Sequence, residues 1–418
     1  SRWYKARITS ADNLHGDLRG IIEHLDYIRE LGIDVLYMTP IFKSNSCHKY
    51  DTIDYYQIDP SFGTTEDLKE LVQKAHERGM KVVLDAVYNH TGREFFAFAD
   101  ILENGEKSKY RDWYFIDGFP LKSEWGEIPN FKCFGYYGGM PKLNLKNPEV
   151  EKYITDVACY WIKECDIDGW RLDVGDEISH FFWKNFRKAV KAVKKDMLII
   201  GEIWHYAGDF LEGDEWDTVM NYPFYLNLID LLADEKITVS QFVQNLGYLK
   251  GRLHKNCYPL MWNLIDSHDT ARFLHLCNDN KKKQHLAAAF QLLLPGMPMI
   301  YYGDEYAMPG ANDPDCRRGM YWDEEYQDKE MYEWYKRLIQ VRKSHACIVE
   351  GELAGSVTED AEGTVVLIRK NGEETIAMIF NCSSSAKKFN EYTQKYNLLT
   401  ENTFDGNVEG FDAAVIVL

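Results

Sequence analysis

No stretch of this chain approaches the length of an apolar membrane span, and no Cys-x-x-Cys pair occurs in it. The first absence argues against a membrane partner, the second against a thiolate zinc site. The nine cysteines are odd in number and scattered from Cys47 to Cys382, so no disulfide framework is expected and a reducing compartment is. There is no basic block, and the net charge of −18 argues against a nucleic-acid partner. Repeats and low-complexity segments are absent too. The opening SRWYKARITS has neither Met nor an apolar leader run, so a trimmed N-terminus is expected. The location expected is cytoplasmic, with secretion as the alternative.

What is present is enough apolar residue for a large core, 45% of 418 residues, and a rich aromatic fraction of 14%. Most aromatics fill cores, but their faces also stack on sugar rings. Strand-like and helix-like patterns alternate. Eight segments read as strands: YKARITS (4–10), 33–40, 80–87, 168–174, 197–204, 217–223, 259–267 and 298–305. Between them run amphipathic stripes. Ile21, Ile22, Leu25, Ile28 and Leu31 repeat at helical spacing after Asp17 and stop at Gly32. Leu68, Leu71, Val72 and Ala75 repeat before Gly79, and Asn147-Pro148 opens a third stripe from Val150 to Ile162. Eight βα units predict a closed parallel (β/α)₈ barrel, a TIM barrel of the α/β class.

Two segments depart from that alternation. Residues 91–147 are too many for a βα loop and predict an inserted subdomain after the third strand. From 346 onward, TVVLIRK, the turn Asn371-Gly372, TIAMIFN and FDAAVIVL read as antiparallel strands. The expected organisation is therefore a barrel over 1–90 and 148–345, the insertion over 91–147, and a C-terminal antiparallel β-sandwich over 346–418.

Three acids each end an apolar strand-like run: Asp173 in GWRLDV, Glu202 in LIIGEIW and Asp269 in LIDSHDT. Asn89 and His90 end a fourth. A barrel assembles its catalytic face from the ends of such strands. Cleaving a glycosidic bond needs one carboxylate to attack and one protonated carboxyl to release the leaving oxygen. Arg171, two residues from Asp173, falls on the same strand face and would keep that acid charged. Glu202 lies between apolar residues, where desolvation would raise its pKa toward that of a working acid. Asp269 is then a third acid, with His90 and His268 as hydroxyl donors. Taken singly, an Arg-x-Asp on a strand is more often a structural ion pair, and a histidine near acids a satisfied core group. The joint pattern at matching strand ends outweighs those readings.

DAVYNH (85–90), GWRLDV (169–174), GEIW (201–204) and DSHDT (266–270) resemble, in order, the four signature segments of the α-amylase family of retaining glycoside hydrolases, family 13. The resemblance runs from about residue 12 to the C-terminus. It implies Asp173 as nucleophile, Glu202 as acid/base and Asp269 as transition-state stabiliser. It also implies that Arg171, His90 and His268 contact the sugar, with Tyr50 of HKYDT as a platform beneath it. MPKLN (140–144), HKYDT, Trp204 and NDPDCRR (312–318) are similar to segments of the neopullulanases, cyclomaltodextrinases and maltogenic amylases. That implies Asp313 and Arg317 hold the next glucose, with a loop ion pair as the bland alternative. Phe134, Tyr136 and Tyr137 are candidate stacking surfaces.

Three departures accompany the resemblance. The N-terminal β-domain usual in those relatives is expected to be either removed or lacking, with the barrel starting in the first ten or so residues. Cys47 stands where relatives have Asn. Glu177 stands where calcium-dependent members have His, so no metal and no cofactor are expected. The activity implied is hydrolysis of α-1,4-glucosidic bonds in maltooligosaccharides or starch-derived glucans, with cyclodextrins or pullulan as further substrates, by a monomer or weak homodimer. Retention predicts Asp173 and Glu202 about 5–5.5 Å apart. Transglycosylation, decided near Trp204 and residues 175–177, is the nearest alternative, followed by an exo-acting α-glucosidase. A non-catalytic glucan-binding protein on the same fold is the rival of another class.

Overall fold

The computed structural model describes residues 16–122, 128–254 and 256–418. YKARITS, the segment expected to form the first strand, lies outside them. Five strands pair in parallel and in chain order: Val35–Met38, Lys81–Ala86, Gly169–Leu172, Leu198–Gly201 and Thr218–Val219. A parallel bridge from Met220 to Trp262 continues the order to Trp262–Asn263, which pairs with Met297–Pro298. Helices return the chain between strands, which makes the TIM barrel. Its strands read as solid apolar runs because helices cover their outer faces: Val82, Val83, Leu84 and Ala86 are all buried.

Cap chemistry sets the helix ends. The Asp17 carboxylate accepts the Gly20 N–H at 2.7 Å, and Gly32 closes the stripe with φ 100°, a conformation that favours glycine. The stripe is two helices, Leu18–Glu23 and Leu25–Leu31, jointed at His24. Asn147 caps Pro148–Cys165 by accepting the Glu149 N–H.

Three predicted strands are shorter than expected. Pairing is confined to Thr218–Val219 and the Met220 bridge in 217–223, to Trp262–Asn263 in 259–267, and to Met297–Pro298 at the start of 298–305. In the first, the Asn221 side chain accepts the Phe224 N–H and starts the helix Tyr222–Leu228, which ends the strand. An antiparallel pair, Phe42–Ser44 with Thr52–Ile58, has no counterpart in the sequence reading. Its polar residues give no clear alternation.

The insertion carries the helix Phe96–Asn104 and closes on itself through bridges Ile116–Phe131 and Cys133–Pro141. At its end, Lys142 bridges back to His90. The C-terminal region is a six-stranded sheet that includes Thr364–Asn371, Glu374–Asn381 and Asp412–Val417, with Gly372 at φ 60° in the predicted turn. One face packs on the barrel helix Lys281–Leu293, where Phe290 and Phe380 stack at 4.2 Å. The other is covered by Tyr392, Phe404 and Val408. The edge strand Glu352–Glu359 is mostly exposed, and without an apolar pattern it escaped the sequence reading. No helix among the described residues is long and apolar enough to cross a membrane.

Candidate active site

Because the strands are parallel and in register, their ends bring the signature segments to one rim. Asp85 lies beside Arg171 in the ladder, and the backbone N–H groups of Asp173 and Glu202 still donate to the neighbouring strand, to Ala86 and Leu172. Arg171 is fully buried and stands at the centre. Its Nη1 donates to Asp85 Oδ1 and Oδ2 at 3.1 Å each and to Asp173 Oδ1 at 3.0 Å. Its Nη2 lies 2.9 Å from Glu202 Oε2 and 4.0 Å from Asp269 Oδ2. The three acids expected to act together therefore surround one guanidinium.

A fourth acid, Asp85, was not among the expected site residues. Its signal was available: a carboxylate inside an otherwise apolar strand must find a buried partner. Tyr37 and Tyr50 both donate to Asp85 Oδ2, at 2.7 and 3.0 Å. Burial pushes Asp85 up to about 6 against the pull of Arg171.

The expected charge states change in this setting. Arg171 was expected to depress Asp173, but its charge is spread over four acids. Burial and the Glu202 carboxylate prevail instead, and hold Asp173 well above the usual carboxylate range. Nor is Glu202 in a purely apolar setting. Its Oε2 accepts the Val174 N–H at 2.9 Å and its Oε1 accepts Trp204 Nε1 at 3.2 Å. Val174 presents that N–H from φ 47°, a left-handed conformation that a β-branched residue adopts only under strain. Small residues make room for the arrangement. A Cβ on Gly201 would stand 2.2 Å from the ring of Trp216, and one on Gly175 2.8 Å from the same ring.

The histidines are neutral. Burial lowers His90 to about 4 and His268 well below its ordinary value. His90 Nε2 bonds the Tyr50 carbonyl at 3.1 Å, and its ring stacks on Phe134 at 5.1 Å. His268 Nε2 lies 2.6 Å from Tyr50 Oη and 3.1 Å from Asp269 Oδ2, with its ring parallel to that of Tyr50. Trp204 is 41% exposed and lies flat on Tyr222, ring centroids 3.8 Å apart.

Arg317 also reaches the centre. Its Nε donates to the His268 carbonyl at 2.8 Å, and its Nη2 lies 3.4 Å from Asp269 Oδ1. Asp313 meets Arg317 at 2.9 Å as a half-exposed ion pair and reaches the site only through it. Tyr136 and Tyr137 are exposed on the insertion. Near Asn89, the Lys142 ammonium of MPKLN sits 2.8 Å from Glu177 Oε2, which also accepts Asn89 Nδ2 at 3.2 Å. The cation beside these oxygen donors is therefore a side chain. Among the described residues no group of three or more His, Cys, Asp or Glu side chains is placed to hold a metal ion.

Comparison with known proteins agrees with this geometry. The family profile described as alpha amylase, catalytic domain, matches residues 4–351. A cyclomaltodextrinase of Geobacillus thermopakistaniensis is 47% identical, the match covering 92% of this chain and 65% of that protein. A maltogenic alpha-amylase of Bacillus acidopullulyticus is 45% identical, over 92% of this chain and 66% of the other. A solved cyclomaltodextrinase structure superposes with a TM-score of 0.93 at 39% identity, covering 99% of this chain and 73% of the other. The chain thus spans about two thirds of the length of these curated relatives. A buried arginine ringed by acids at the barrel rim and a catalytic-domain match over the same strands lead to one conclusion: the chain belongs to the alpha-amylase family.

Proposed function

We propose that the chain is a retaining glycoside hydrolase that cleaves α-1,4-glucosidic bonds of maltooligosaccharides, cyclodextrins or pullulan. The observation that carries this reading is the cluster of Asp173, Glu202 and Asp269 around Arg171 at the strand ends. Two carboxyl groups gripping neighbouring nitrogens of one guanidinium suit a short-range double displacement. In the substrate complex Glu202 supplies the proton that the leaving oxygen needs.

Asp173 attacks the anomeric carbon as the bond to the leaving oxygen breaks, and Glu202 gives that oxygen its proton. A β-glucosyl ester on Asp173 results. Glu202 then takes a proton from water, whose oxygen attacks the same carbon and expels Asp173, giving an α-product. Asp269 and the neutral histidines grip ring hydroxyls as positive charge develops. Tyr50, stacked on His268, forms the platform, and Arg317 with Asp313 holds the next glucose.

Trp204 supports a second reaction. A half-exposed indole beside Glu202 is a stacking surface for an acceptor sugar, which can intercept the ester in place of water. Product analysis on maltoheptaose, γ-cyclodextrin and pullulan, with the anomer followed by NMR, tests both. Short α-anomeric products are expected, with longer ones appearing at high substrate concentration. β-Anomeric products, or glucan binding without cleavage, would overturn the assignment.

A further inference from the structure

Below the cleft lies a second buried acid cluster that the reaction above does not use. Asp266 follows the strand Trp262–Asn263 and precedes Asp269 by three residues. Asp304 follows the strand Met297–Pro298, on the segment that runs on to Asp313 and Arg317. Each is 1% exposed, and the two carboxyl groups face one another in the interior. Asp266 Oδ1 and Asp304 Oδ2 receive no N–H or O–H donor from any other described group. Two ionised carboxylates have no hydrogen to exchange, so contact between them requires a proton.

The remaining oxygens are anchored. Asp266 Oδ2 accepts the Phe273 N–H at 2.8 Å, and Asp304 Oδ1 accepts Arg272 Nη1 at 3.0 Å. Arg272 also donates to the carbonyls of Tyr302 at 2.6 Å and Cys316 at 3.1 Å, and its backbone N–H to Gly310 at 2.9 Å. Through these bonds the segment bearing His268 and Asp269 is tied to the segment bearing Arg317. Glu305, Tyr225 and Tyr335 also face the pair, Tyr301 and Tyr302 face Arg272, and Arg272 is the one fixed positive charge that the described residues place against it.

We propose that Asp266 and Asp304 share one proton, and that this acid pair with Arg272 is a positioning unit holding Asp269 and Arg317 in register across the cleft. The inference rests on the glycosidase reading for its consequence, though not for its chemistry. Burial drives both acids upward, Asp304 well above the usual range, so the proton is present at neutral pH. Its loss at alkaline pH leaves two buried anions against one guanidinium, and repulsion parts the two segments.

Asp266→Asn supplies an amide N–H in place of the shared proton; Asp266→Ala supplies nothing. The first should keep kcat/KM at pH 6 within about threefold and move the alkaline fall in activity upward by about one pH unit or more. The second should lose about tenfold or more at every pH, as an unpartnered buried carboxylate does. Thermal unfolding from pH 5 to 9 reads the proton without substrate. An acid whose folded pKa is raised stabilises the fold at low pH and loses that contribution as pH rises through the folded value. The wild type should therefore weaken toward alkaline pH, and Asp266→Asn should weaken less. Superimposable unfolding profiles, or an Asn variant as damaged as the Ala variant, would overturn the proposal. An inactive wild type would overturn the glycosidase reading alone, since the unfolding profiles still decide the shared proton.

Discussion

Arg171 and Arg272 are both buried arginines set among carboxylates at the strand ends of one barrel, yet their surroundings differ in one respect. Asp173 and Glu202 at Arg171 are 6% and 7% exposed and Asp269 is more open still, whereas Asp266 and Asp304 at Arg272 are 1% exposed each. Asp269 has 30% of its side chain exposed, so the first cluster opens to the cleft. In the proposed reaction its carboxylates face a cationic transition state. The second is sealed, and its Arg272 also donates to the backbone carbonyls of Tyr302 and Cys316. Similar residues thus stand open to the cleft in one place and sealed from it in the other.

The largest expected effect separates the two on activity. Asp173→Asn should lower kcat by about ten-thousandfold or more while leaving the circular dichroism spectrum unchanged. A variant that keeps substantial activity would break the comparison at its catalytic end.

Stability should order the arginines the other way. Removing one partner of a buried ion cluster costs about 3–5 kcal/mol, because charges are left uncompensated. Arg272→Met should reach that range in urea unfolding. Arg171→Met should fall below it, since the acids facing the cleft can take up protons and water. Equal losses would mean that cleft access does not matter.

Trp204→Ala tests what the open cleft gains from its rim. The ratio of transfer to hydrolysis products should fall about tenfold at high substrate concentration, with little change in melting temperature.

A smaller effect concerns pH. Asp85 is raised to about 6 by burial, so the folded chain binds its proton more tightly than the unfolded chain. Its contribution is fully present below about pH 4, the ordinary aspartate value, and is lost as pH climbs through about 6. Asp85→Asn should flatten melting temperature across that window. The smallest effect is expected at Asp313→Ala, where a half-exposed ion pair contributes no more than about 0.5 kcal/mol. A raised KM with unchanged melting temperature would place Asp313 on substrate, and an unchanged KM would leave it a loop ion pair.

Much of this was legible along the chain. The acids at Asp173, Glu202 and Asp269 stood out because three apolar runs each end in one, a joint pattern that isolated structural ion pairs do not produce. The stripe from Ile21 to Leu31 and its stop at Gly32 followed from periodicity and turn chemistry. Asp85 was missed inside a motif that had been noticed, because its partners Tyr37, Tyr50 and Arg171 lie on three other segments. The pair Phe42–Ser44 with Thr52–Ile58, which flanks Tyr50, left no periodic trace.

By itself, the sequence determined the alternation of barrel strands and helices from residue 33 onward, the insertion after the Lys81–Ala86 strand and three of the antiparallel C-terminal strands, since period and cap residues are local properties. It also determined which acids stand at strand ends. Which acids share a guanidinium, which way their proton affinities move and which cluster is open to the cleft were decided only by the tertiary structure. Those properties depend on burial and on charges brought together from segments more than a hundred residues apart, as Tyr50 is brought to His268.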